Sequence, residues 1–113
     1  MRQAIIQYLI TTLKVPVNLI GVEFSLTGIV PGNFRRADIV VYKPGGNQLA
    51  PWLLVECKAP RIKIDDEVAY QTAHYLKNIP SLFVMLSNGK DSRYLERVSK
   101  AYQLIKQLPV FTK

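Results

Sequence analysis

Apolar positions at Ala4, Ile5, Tyr8, Leu9 and Leu13 recur at the spacing of an amphipathic helix over residues 2–14, closed by Val15-Pro16. No Ser, Thr, Asp or Asn precedes Arg2 to cap the first turn, so the natural helix is expected to begin upstream. From Leu19 to Val30 the pattern turns strand-like and β-branched, and Pro31-Gly32-Asn33 reads as a turn. RRADIVVY (35–42) is a second strand, residues 43–47 a tight loop, and PWLLVECK (51–58) a third strand; the three read as an antiparallel meander. Asp65 and Asp66 offer an N-cap and Glu67 sits in the first turn of a helix running from about Asp66 to Lys77, with Asn78 and Pro80 beyond. SLFVML (81–86) reads as a buried strand that returns parallel to an earlier one after the crossover. Ser87-Asn88-Gly89 is ambiguous, because Asn-Gly is also a hairpin signal. Tyr94, Leu95, Val98, Ala101, Tyr102 and Ile105 are spaced for a closing helix.

Strand periodicity sharpens two of these segments. Asp38 shares a face with Val40, and Glu56 with Leu54 and Trp52; the opposite faces carry Ile39 and Val41, and Leu53, Val55 and Cys57. Apolar residues on both faces imply central strands covered on both sides. A carboxylate there without a partner costs several kcal/mol. The plain explanation is two strand-end ion pairs, Asp38 with Arg36 and Glu56 with Lys58. The alternative is a site: two carboxylates from neighbouring strands can hold a divalent metal, with Lys58 on the same face to orient water or offset phosphate charge.

Composition narrows the choice. The chain has 113 residues, enough for one domain with a modest core, and 49% are hydrophobic, which argues against disorder. Fifteen Lys and Arg against eight Asp and Glu give +7, an excess that suits an anionic partner such as nucleic acid. Lone Cys57 excludes an intrachain disulfide and a cysteine-cluster zinc site, and fits a reducing cytoplasm. No apolar run reaches membrane-spanning length, and polar residues interrupt the N-terminal run where a secretion signal would be continuous. His74 is the only histidine and could pass for a general base, but reads as a surface residue or one supporting a site from behind; Trp52 reads as core. Residues 90–113 carry six Lys and Arg against two acids, with Arg93, Arg97 and Lys100 on one face of the expected helix. Such a stripe is usually a solvated face, and alternatively a phosphate contact supported by Arg35, Arg36, Arg61 and Lys63.

Asp38 followed by Glu56-Cys57-Lys58, on the second and third strands after an opening helix, resembles the PD-(D/E)XK nuclease superfamily. The likeness is greatest to the N-terminal nuclease domain of type I restriction enzyme R subunits and its small stand-alone relatives. RADIVVY beside LVECKAP carries it most specifically, and it runs from about residue 2 to Gly89. The resemblance implies an α/β restriction-endonuclease-like core, a mixed sheet flanked by helices in the order α-β-β-β-α-β-α, over residues 1–113. It implies a Mg²⁺-dependent endonuclease acting on DNA, with Mn²⁺ as a substitute, in a restriction-modification complex or a homodimer. Asp38, Glu56 and the Cys57 carbonyl would hold the metal, and Lys58 would be the catalytic lysine. Gln71 and Tyr75, four apart on the second helix, would line the site with Arg36 nearby. Relatives usually carry an acid near the start of the first helix; here there is none, and Glu23 is a substitute only if its role is not structural. The chain has no Gly-rich Lys-Ser/Thr phosphate loop, so no ATP site is expected. The alternative reading is a nucleic-acid-binding or assembly module that keeps the fold without cutting.

Overall fold

The computed structural model describes residues 1–25, 36–45, 48–75 and 81–112. Its elements are α1 (Arg2–Thr11), β1 (Ile20–Ser25), β2 (Arg36–Gly45), β3 (Gln48–Cys57), α2 (Asp66–Tyr75), β4 (Phe83–Ser87), β5 (Ser92–Val98) and β6 (Ala101–Ile105). The six strands form one mixed sheet in the order β1-β2-β3-β4-β5-β6. The first three are antiparallel, as the short connections predict, and β3 pairs with β4 in parallel across the α2 crossover. No described helix is long and apolar enough to cross a membrane.

The end of the chain departs from the sequence-based expectation. Residues 92–105 are a β-hairpin paired antiparallel to β4, not a helix. Leu95 packs in the core on the α2 side of the sheet while its neighbour Tyr94 packs on the α1 side. With both faces covered, alternation is absent, and the apolar residues fall by chance at helical intervals. The ambiguous Asn-Gly was the informative signal. Asn88 Oδ1 accepts the Lys90 and Asp91 N–H groups, and Gly89 supplies φ 89°. Arg93 and Arg97 therefore share a strand face, while Lys100 lies in the β5–β6 turn.

Each helix serves one face. Ile5, Leu9 and Leu13 pack with Ile39, Val41, Leu53 and Val55; Ala69 and Ala73 pack with Val40, Leu54, Val84 and Leu86. α1 has Met1 at its N-cap with no side-chain cap and ends at Thr11, three residues early, with Lys14 beyond it at φ 62°. Asp65 Oδ1 accepts the Val68 N–H at 2.9 Å and so caps α2. Trp52 is buried as expected but on the other face. The register skips it between Val41↔Leu53 and Tyr42↔Pro51, a bulge that turns its ring into the α1-side core against Phe83 and Phe111. The expected end of α2 at Lys77 and the turn at 31–33 lie outside the described residues.

Candidate active site

Lys58 N–H donates to Ser87 O at 2.7 Å, closing the parallel ladder between β3 and β4. Successive peptide groups of a strand point to opposite edges, so the N–H and carbonyl of Cys57 face β2. That N–H is taken by a side chain: Asp38 Oδ2 accepts it at 2.8 Å. The last β2–β3 pair is Ile39↔Val55, which sets Asp38 opposite Glu56 one position further on. Residues opposed across antiparallel strands share a face, with Cβ atoms about 4.5–5.5 Å apart. The face is that of Val40 and Leu54, the α2 side. Glu56 Oε1 in turn receives Lys58 Nζ at 3.2 Å, with the lysine side chain 28% and the glutamate 16% exposed. The ion pair anticipated for Glu56 is present; its existence does not exclude a site.

Cys57 points to the opposite face, against the α1-side core. Burial pushes its thiol up, the Asp38 charge adding to the effect; Arg2 and the N-terminal ammonium oppose it, and Glu56 contributes a smaller rise. Arg2, at the start of α1, thus acts on the Cys57 thiol, on the face opposite the two carboxylates.

Asp38, Glu56 and the Cys57 carbonyl suit a hard divalent cation in chemistry, because all are oxygen donors and such ions keep several waters. Among the described residues, no group of three or more His, Cys, Asp or Glu side chains is placed to hold a metal. A metal here would therefore rely on two carboxylates and backbone oxygen.

Beside Lys58 an open cleft of about 850 Å³ runs along α2. Glu67, Tyr70, Gln71 and His74 line it, the i, i+3, i+4, i+7 positions of one helical face. Ala69, Thr72 and Ala73 turn inward and are buried, which fixes the helix rotation and sends that stripe outward. α2 rests chiefly on β5 and β6, leaving its flank towards Lys58 open. Gln71 and Lys58 thus share the cleft, as the sequence suggested. The side chains of Tyr75, Arg36 and Glu23 lie outside the described residues. His74, read as a surface residue, is exposed and lines the same cleft; Tyr70 was missed altogether. The loop carrying Arg61 and Lys63 is pinned to the β4–β5 turn, where Asn88 Nδ2 donates to Ile62 O at 2.7 Å.

No curated protein and no solved structure matches the chain. A family model described as type I restriction enzyme R protein N terminus matches residues 1–109. With nearly its whole length under that model, the chain belongs to the family of type I restriction enzyme R protein N termini.

Proposed function

We propose that this chain is a Mg²⁺-dependent endodeoxyribonuclease domain of the PD-(D/E)XK type, working on DNA within a restriction-modification system. Family membership supports a nuclease-related role and an association with DNA. The observation that carries the finer reading is the strand end where Asp38 takes the Cys57 N–H and Glu56 meets Lys58, opening beside a cleft.

Asp38, Glu56 and the Cys57 carbonyl would hold the ion. When bound, it acidifies water and offsets charge on the cleaved phosphate. Glu56 keeps the Lys58 ammonium at the mouth of the cleft, where it orients water towards phosphorus and stabilises the negative charge that grows there. Asp38 holds the Glu56–Cys57 peptide group through its N–H, and the Lys58 N–H bond to Ser87 O orients the next peptide group, which carries the Cys57 carbonyl. The Gln71 amide faces the same cleft and positions substrate by hydrogen bonds.

Lys58→Ala should lower cleavage of plasmid DNA by about 10²–10³-fold while melting stays near wild type. Unchanged cleavage by the purified variant would refute the role. A second reading, a non-cleaving DNA-binding module, is favoured by the lack of a third acid at the site among the described residues. Calorimetric titration with Mg²⁺ or Mn²⁺ separates them, because the enzyme takes up metal through Asp38 and Glu56 and the module does not.

A further inference from the structure

We propose that Tyr70, with His74 one turn further along α2, is a stacking shelf for an unpaired nucleobase, so that the substrate is DNA single-stranded or locally opened at the cut. This rests on the nuclease reading above and names its substrate class. Tyr70 is 49% exposed, and among the described Phe, Trp and Tyr side chains it alone is exposed. Every other described Phe, Trp or Tyr ring is buried or half-buried, and the exposed His74 imidazole stands one turn along the same stripe. The tyrosine does not stand alone. It faces the cleft that Lys58 enters, one residue from Gln71 and four from His74.

The order of groups along that wall suits a nucleotide. Lys58 offers an ammonium to the phosphate, Tyr70 and His74 offer flat faces to the base, and the Gln71 amide offers both a donor and an acceptor to its edge. Glu67, a turn before Tyr70 on the same stripe, repels phosphate and so keeps the backbone on the Lys58 side. A cleft of about 850 Å³ lies in the size range of sites that enclose small molecules and has room for a base with its sugar. Paired bases hide their faces in the duplex stack, so a tyrosine can stack only on a base that is already unpaired or has been turned out.

The test uses the whole chain with a chelator present, so that binding is read without cleavage. A single strand carrying a fluorescent purine analogue is compared with the same strand annealed to its complement. Wild type should bind the single strand more tightly and quench the analogue. Tyr70→Ala should weaken single-strand binding by about five- to a hundred-fold, with duplex affinity and melting unchanged. Tyr70→Trp, which restores a stacking face, should recover both affinity and quenching. Equal affinity for the two forms, with Tyr70→Ala indifferent on both, overturns the shelf and leaves the nuclease reading standing. Wild type that binds neither form overturns the nuclease reading itself.

Discussion

The Asp38 carboxylate takes the Cys57 N–H through Oδ2 where the β2–β3 ladder has stopped, so one side chain closes the strand end and supplies charge to the site. Two substitutions separate these roles. Asp38→Ala leaves the half-buried Cys57 N–H without its acceptor and should cost about 1–3 kcal/mol by chemical denaturation. Asp38→Asn keeps a carbonyl oxygen in place and removes a charge facing Glu56, so its stability should stay within about 1 kcal/mol of wild type. Metal uptake measured by calorimetry should vanish in both. An Asn variant as unstable as the Ala variant would show that the charge itself holds the fold. Strand periodicity made Glu56 and Lys58 legible as one face in the sequence, whereas Asp38 joins them through the β2–β3 register, Ile39↔Val55, which apolar residues on both faces leave unspecified. Tyr70 and His74 were not legible. Their significance depends on which side of α2 faces the cleft, and burial of Ala69, Thr72 and Ala73 decides that.

At the level of elements, α1 and the β1–β4 framework follow from capping, turn chemistry and apolar pattern, and the β5–β6 hairpin does not. Its turn is the reason. Val98↔Ala101 is the closing pair, so Ser99 and Lys100 form a two-residue loop, and Ser99 alone of the two is at positive φ, 59°. That is the pattern of a type II′ turn, whose first position favours glycine. A serine there gives no signal to a reader of the sequence, and Tyr94 and Leu95, committed to opposite cores, erase the alternation. Because a side chain is disfavoured at this φ, Ser99→Gly should relieve strain and raise stability by about 0.5–1 kcal/mol despite glycine's greater chain entropy. Thermal melting checks it, and a fall in midpoint would mean that the serine makes interactions outweighing the strain. The hairpin also depends on Tyr102, whose hydroxyl donates to Ser81 O at 2.7 Å and whose ring carries the Arg97 guanidinium 5.8 Å from its centroid. Burial raises the pKa of that hydroxyl, its leading cause, so the proton is held more tightly in the folded state. The stabilisation is complete below the ordinary tyrosine value and is lost as pH rises through the raised one.

For the molecule as a whole, the sheet brings Asp38 of β2 beside Glu56 and Lys58 at the end of β3, and the net charge of +7 sets the background against which they act. Two carboxylates on adjacent strands repel, and Lys58 offsets that repulsion through its ion pair with Glu56. A divalent cation bound between Asp38 and Glu56 would offset it further, and only the folded chain brings those strands together. Binding to the native state alone raises stability by RT ln(1 + [L]/Kd), about 2.7 kcal/mol when the ion is at a hundred times its dissociation constant. In a chain of this size that corresponds to a rise in melting temperature of roughly ten degrees. Adding Mn²⁺ in steps should therefore move the midpoint of wild type upward logarithmically, and a chelator should return it. Asp38→Asn should show no movement at any concentration. A wild-type midpoint indifferent to Mn²⁺ would leave the two acids to ordinary ion pairing and return the chain to the non-cleaving reading.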